Sequence, residues 1–196
     1  MEIISAAVML FLIMDPLGNL PIILSILRHL EPKRRRKVLI RELCFALIIL
    51  LLFLFAGQKM LAFLHVKTET VSISGGIILF LIAIRMIFPQ PGGVTGLAAG
   101  EEPFLVPMAI PMIAGPSVLA SLLLLSNQEP DRLGDWTIAV LLAWGATFII
   151  LMFYEVFNRL FGERGLKAIE RLMGLMLIMI STQMFLDGIS QYLKNA

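Results

Sequence analysis

The chain has 196 residues, of which 59% are hydrophobic and 15% charged, with a formal net charge of +2, whereas an average soluble domain carries about 25% charged residues. A spanning helix takes about 20 mostly apolar residues. Six such stretches can be marked, which leaves too little chain for a soluble catalytic domain, a nucleic-acid fold or a secreted scaffold.

The expectation is therefore an all-α polytopic membrane protein, a single membrane domain over 1–196. Hydropathy marks spans near Ile3 to Leu27, Val38 to Gly57, Val71 to Phe88, Pro103 to Leu125, Trp136 to Val156 and Leu172 to Ile189. The first run lacks a charged leader, Glu2 being its one early charge, so it is expected to stay attached as a span. Within it, Asp15-Pro16-Leu17-Gly18-Asn19-Leu20-Pro21 falls about 18 Å from the start, near mid-bilayer. Asp before Pro is a helix-start signal, with Asp15 as N-cap and Pro16 at the first helical position. Pro21 leaves open a restart after Asn19 instead.

The loop that follows holds Arg28, Lys33, Arg34, Arg35, Arg36, Lys37 and Arg41, and the loop expected between the fifth and sixth spans holds Arg159, Arg164, Lys167 and Arg171. With Arg85, 12 of the 16 Lys and Arg residues fall on one side. The positive-inside rule then predicts both termini outside the cytoplasm. Lone Cys44 makes no intrachain disulfide and says nothing of redox compartment. Glu42 and Arg85 lie near span ends, where snorkelling or mutual pairing is expected. Ser74, Gly75 and Gly76 read as a close-packing stripe. Residues 90–102, rich in glycine, read as a linker.

The fourth span carries Pro103, Pro107 and Pro111 ahead of Ala114-Gly115-Pro116-Ser117, so helix continuity is expected to fail there as well. Sliding the chain on itself by 98 residues pairs Glu31-Pro32 with Glu129-Pro130, Gly76 with Gly174 and Met86 with Met184; two residues of slippage pair Pro16 with Pro116. Two repeats, 1–89 and 103–196, each with three spans and a broken first helix, must enter the membrane from opposite sides. Inverted repeats of this kind characterise secondary transporters, whose sites lie where the interrupted helices meet. Half-helix N-termini at Pro16 and Pro116 favour an anion such as a substrate carboxylate. The plainer reading has the prolines bending packed helices and Asp15 capping one. An intramembrane carboxylate is nonetheless expensive, and marks Asp15 as a functional candidate.

Met173, Met176, Met179 and Met184 in the last span suit flexible packing better than a copper path. His29 and His65 are the two histidines and fall on opposite sides of the expected membrane, and no group of Cys, His or carboxylates has metal-ligand spacing. No cofactor and no enzyme activity is expected.

The runs IMDPLGNLPI at Ile13 to Ile22, ETVSISGGIILFLIAIRMIFP at Glu69 to Pro89 and EEPFLVPMAIPMIAGP at Glu101 to Pro116 resemble the MarC family of bacterial inner-membrane proteins over essentially the whole chain. The resemblance implies a bacterial inner-membrane location and, from an archaeal relative, ion-driven transport of small neutral amino acids such as glycine and alanine. It points to Asp15, Pro16, Gly18, Asn19, Pro21, Gly115 and Pro116 as site positions. Together these readings give an expected transporter, with efflux the favoured direction, whose partners are a small-molecule substrate and membrane lipids, with an oligomer open. Asn19, Ser117, Ser121 and Gln183 would supply hydrogen bonds, and Asp15 would carry or coordinate a coupling H+ or Na+. A lipid-carrier flippase and a non-transport assembly module are the alternatives.

Overall fold

Proline has no amide hydrogen and blocks the helical turn before it, and the first apolar run breaks where that rule says it should. In the computed structural model, which describes residues 2–27, 30–88 and 102–194, helix α1 spans Ile3–Met14 and α2 spans Pro16–Leu27. Between them Asp15 sits in the left-handed region at φ 41°. Its N–H closes α1 by donating to the Phe11 and Leu12 carbonyls, and its own carbonyl accepts the Asn19 N–H at 3.0 Å, the first bond of α2. The restart is thus at Pro16, and Pro21 is absorbed inside α2.

Helix α3 covers Pro32–Phe63, again with proline in its first turn, and α4 covers Thr68–Ile87. The second half opens differently. Residues Met108–Ile113 form π-type turns interrupted by extended Ile110, and the peptide bonds preceding Pro107 and Pro111 are cis. Helix α5 then runs Pro116–Gln128, a short 3-10 turn covers Pro130–Arg132, α6 covers Leu133–Met152 and α7 covers Tyr154–Lys194.

Among the described residues, four helical stretches are long and apolar enough to cross a membrane: Ile3–Leu27, Pro32–Phe63, Glu69–Ile87 and Pro130–Met152. The expected span at 103–125 is not one helix, because Pro107, Pro111 and Pro116 fall inside it, where each lacks the amide hydrogen of a helix interior and blocks the turn before it. The expected span at 172–189 lies within α7. That helix also runs through the region of Arg159 to Arg171 where a loop was expected. The glycine-rich stretch 90–102 lies, apart from Glu102, outside the described residues, as do Arg28 and His29.

The helices pack α1 on α6, α3 on α5 and α6, and α4 along α7. Leu10, Met14, Leu39, Leu43, Leu50, Leu54 and Trp136 are buried in the core, while Ile4, Leu12, Phe55, Phe63, Leu142 and Ile149 point outward. An exterior this apolar suits lipid and not water. Trp144 Nε1 donates to the Leu43 carbonyl at 2.8 Å, tying α6 to α3.

Small residues let helix backbones approach where no hydrophobic force between helices exists. A Cβ on Gly76 of α4 would lie 2.9 Å from the Ser181 carbonyl oxygen of α7, and one on Gly174 of α7 would lie 3.3 Å from the Ala83 carbonyl oxygen of α4. These two contacts exchange places when 98 is added to each residue of the first half. Gly76→Leu and Gly174→Leu are each expected to lower the melting temperature in detergent, at the overpacking cost of about 1–3 kcal/mol. An unchanged melt in either variant would show that the seam yields easily.

Candidate functional site

The break at 15 is held by local chemistry. Asp15 Oδ1 accepts the Gly18 N–H at 3.0 Å, so the side chain caps the third amide of α2 in the manner that makes Asp a preferred N-cap. Asn19, one turn along, spans the two broken regions. Its Nδ2 donates to the Met14 carbonyl at 2.8 Å and to the Met112 carbonyl at 3.1 Å. The first is an orphan acceptor at the end of α1, and the second lies in the irregular segment of the other half.

The start of α5 is built otherwise. Gly115 is its N-cap and Pro116 its first residue, with no side-chain cap bond. The first intrahelical bond is from the Leu119 N–H to the Gly115 carbonyl at 3.0 Å, so the Ser117 and Val118 amides have no acceptor within the helix. One helix start is therefore capped by its own carboxylate, whereas among the described residues the other has no side-chain cap.

Both starts line the same cavity, of about 240 Å³, whose walls include Asp15, Gly18, Asn19, Gly115, Pro116 and Ser117. The α7 stripe Met176, Ile180 and Met184 supplies much of the apolar side, with Leu79 from α4. That stripe has i, i+4, i+8 spacing; two of its members, Met176 and Met184, are among the methionines whose sequence pattern suits flexible packing. Of the other expected site residues, Pro16 is buried at the start of α2, and Pro21 is partly buried within it. Pro16, Pro21, Ser121 and Gln183 are not part of the described lining. Ser121 Oγ donates to the Ser117 carbonyl at 2.8 Å, and Gln183 Nε2 donates to Asp187 Oδ1 at 2.8 Å on the exposed side of α7.

A second cavity of about 230 Å³ lies across a shared wall of Pro111 and Pro116, bounded by Thr70, Val71, Ser74 and Gly75. Gly75 makes that wall possible, since a Cβ there would overlap the Pro116 ring. The expected close-packing role of Gly75 is thus directed at the α5 start itself.

A cluster of ions marks the entry to the irregular segment. Glu102 pairs with Arg34 and, at 3.3 Å, with Arg41; Arg41 also donates to the Pro103 carbonyl and lies 5.3 Å from the centre of the Phe104 ring. Glu42 pairs with Arg41 at 3.0 Å and is fully buried, so neither snorkelling nor pairing with Arg85 describes it. The Arg34 guanidinium holds the Glu102 carboxyl below its usual value of 4.5. A depressed carboxylate contributes stability that is present above that value and is lost as pH falls through the lower folded one. Arg34→Gln is accordingly expected to melt below wild type at neutral pH and to converge with it in strong acid, well under pH 4.5. A gap that persists in acid would assign the effect to something other than this pair.

Compared with known proteins, the chain matches the description "MarC family integral membrane protein" over residues 1–193. It is 64% identical over 195 residues to the UPF0056 inner membrane protein YhgN of Escherichia coli K12, covering 99% of each chain. A UPF0056 membrane protein of Buchnera aphidicola subsp. Baizongia pistaciae is 60% identical over 196 residues, covering 97% of this chain and 98% of its own. One from Chlamydia pneumoniae is 31% identical over 189 residues, covering 96% and 94%. No solved structure matches the chain significantly.

Proposed function

The chain belongs to the MarC family of integral membrane proteins, and from that premise we propose that it is a secondary transporter of small neutral amino acids. The observation that carries this reading is the shared cavity, with a carboxylate at one helix start and an open helix start opposite in kind. An amino-acid zwitterion presents the complementary pair of charges. Its carboxylate would accept from the Ser117 and Val118 amides, and its ammonium would face Asp15. Asn19 has both amide hydrogens committed, so it offers the substrate its Oδ1.

Volume favours a small solute, because pockets for drug-sized ligands run about 300–1,000 Å³ and this one is about 240 Å³. Among the described residues Asp15 is the one charged group in its lining, and the remaining wall is mostly apolar, which suits a short aliphatic side chain. On this reading the protein is two inverted three-span repeats in a bacterial inner membrane, with the basic segments on the cytoplasmic side and efflux the working direction. The reciprocal glycine contacts at an offset of 98 and the paired restarts at Pro16 and Pro116 support that arrangement. Alternating access would come from one repeat rocking against the other around the cavity.

The test is exchange of labelled alanine and glycine by purified protein in liposomes, against protein-free vesicles, under proton and sodium gradients in turn. Saturable exchange that weakens in Asp15→Asn is the expected result. Flux no greater than in empty vesicles under both gradients would sink the amino-acid assignment.

A further inference from the structure

Glu42 stands ten residues into α3 with its side chain closed to solvent. Its Oε1 accepts from Arg41 Nε at 3.0 Å, whereas its Oε2 has no hydrogen-bond partner among the described residues. The backbone N–H groups of Leu105 and Ala109, in the irregular segment of the second half, are turned toward the carboxylate without making a hydrogen bond to Oε2. A buried carboxylate that is only half satisfied is a poor permanent anion. A proton on Oε2 would relieve it, as would a fuller partnership with Arg41.

Arg41 is itself divided. The same guanidinium that reaches Glu42 on α3 also reaches Glu102 and the Pro103 carbonyl, and Glu102 is held in turn by Arg34. The elements packed on α3 are α5, α6 and the π-type segment. Neither α5 nor the π-type segment contains a charged residue, and α6 has only Asp135, in its first turn. Among the described residues, the charged groups at Glu42 are therefore Arg41 and, through it, Glu102 and Arg34. A metal cation would meet the Arg41 charge at this place, so the ligand the chemistry admits is a proton.

We propose that Glu42 is a proton-binding site that trades Arg41 between α3 and the entry to the second broken segment. Protonation forms the neutral acid at Oε2 and frees Arg41 for Glu102 and Pro103. Loss of the proton draws Arg41 back to α3. Because the segment from 102 to 113 leads directly into Gly115 and Pro116, this exchange acts on the open helix start of the cavity. Resting on the transport reading above, it makes Glu42 the coupling group and leaves Asp15 to the substrate.

The experiment is infrared difference spectroscopy of the purified full chain in nanodiscs as pH is stepped upward from the ordinary carboxylate range, with no amino acid present. A titrating carboxylic-acid C=O band is expected in wild type and in Asp15→Asn, and is expected to vanish in Glu42→Gln. At a fixed pH it should be stronger in Arg41→Gln, where the stabilising cation is gone; that variant decides the matter alone if Glu42→Gln does not fold. A band that survives in Glu42→Gln, or is the same in Arg41→Gln as in wild type, would overturn the proposal. In liposomes, Glu42→Gln should lose proton-driven alanine accumulation and keep alanine–alanine exchange. A Glu42 band with no flux in any variant would retain the proton site and remove the transport reading; flux without a Glu42 band would do the reverse.

Discussion

Asn19→Asp is expected to leave little folded protein, although the replaced side chain is nearly the same size. Both hydrogens of the Asn19 amide are given to backbone carbonyls, Met14 at 2.8 Å and Met112 at 3.1 Å. Aspartate has no such hydrogens when ionised, and would set a carboxylate against two carbonyl oxygens. Each buried acceptor left unsatisfied costs about 1–3 kcal/mol, so two cost roughly 2–6 kcal/mol before repulsion is counted. Native stability is typically about 5–15 kcal/mol, so this is a large fraction. Asn19→Ala should lose the same two bonds without the repulsion and fall between aspartate and wild type. Melting followed by circular dichroism, with size exclusion to score monodispersity, orders the three. An aspartate variant that melts with wild type would mean that the bridge between the two broken regions is not a source of stability.

Asp15→Asn is expected to do the opposite, sparing the fold and damaging recognition. Asparagine caps a helix about as well as aspartate does, so the bond to the Gly18 N–H survives and the melting temperature should hardly move. The negative charge at the cavity wall does not survive. Hydrogen bonds to charged groups contribute about 1.5–3 kcal/mol, and each 1.4 kcal/mol is tenfold, so the apparent KM for alanine should rise about tenfold to a hundredfold. Asp15→Ala should show that loss together with about 1 kcal/mol of lost capping. Normal exchange by a normally folded Asp15→Asn would show that the carboxylate is a cap and nothing more.

How much of this was legible in the chain depends on the residue. The restart at Pro16 was readable because Pro and Asp act on their own neighbouring backbone, and such local rules need no tertiary information. The second break was readable in place but not in form. Pro107, Pro111 and Pro116 say where an α-helix must fail, not that π-type turns and an extended Ile110 replace it. The basic region 157–171 reads as a loop when its charge is weighed as topology alone. Its Glu, Arg, Leu and Lys residues are also good helix formers, and α7 runs straight through. Glu42 was harder still. Its partner is the adjacent Arg41, and neighbours in sequence do not face each other along a helix. Nothing in the pattern therefore suggested the pair, or the link through Arg41 to Glu102.

The 41 residues of α7 amount to a rod about 60 Å long, while the hydrocarbon core of a bilayer is about 30 Å thick. Only part of the rod can be immersed at one time unless it tilts strongly. The part seamed to α4 through Gly76 and Gly174 also bears the methionine wall of the cavity, so any tilt at the wall is amplified toward the other end. A tilt of about 10° carries a point 30 Å away through roughly 5 Å. A helix that moves as one rod is a mechanical pointer, and a spectroscopic label at exposed Val156 would register events at the wall without touching it.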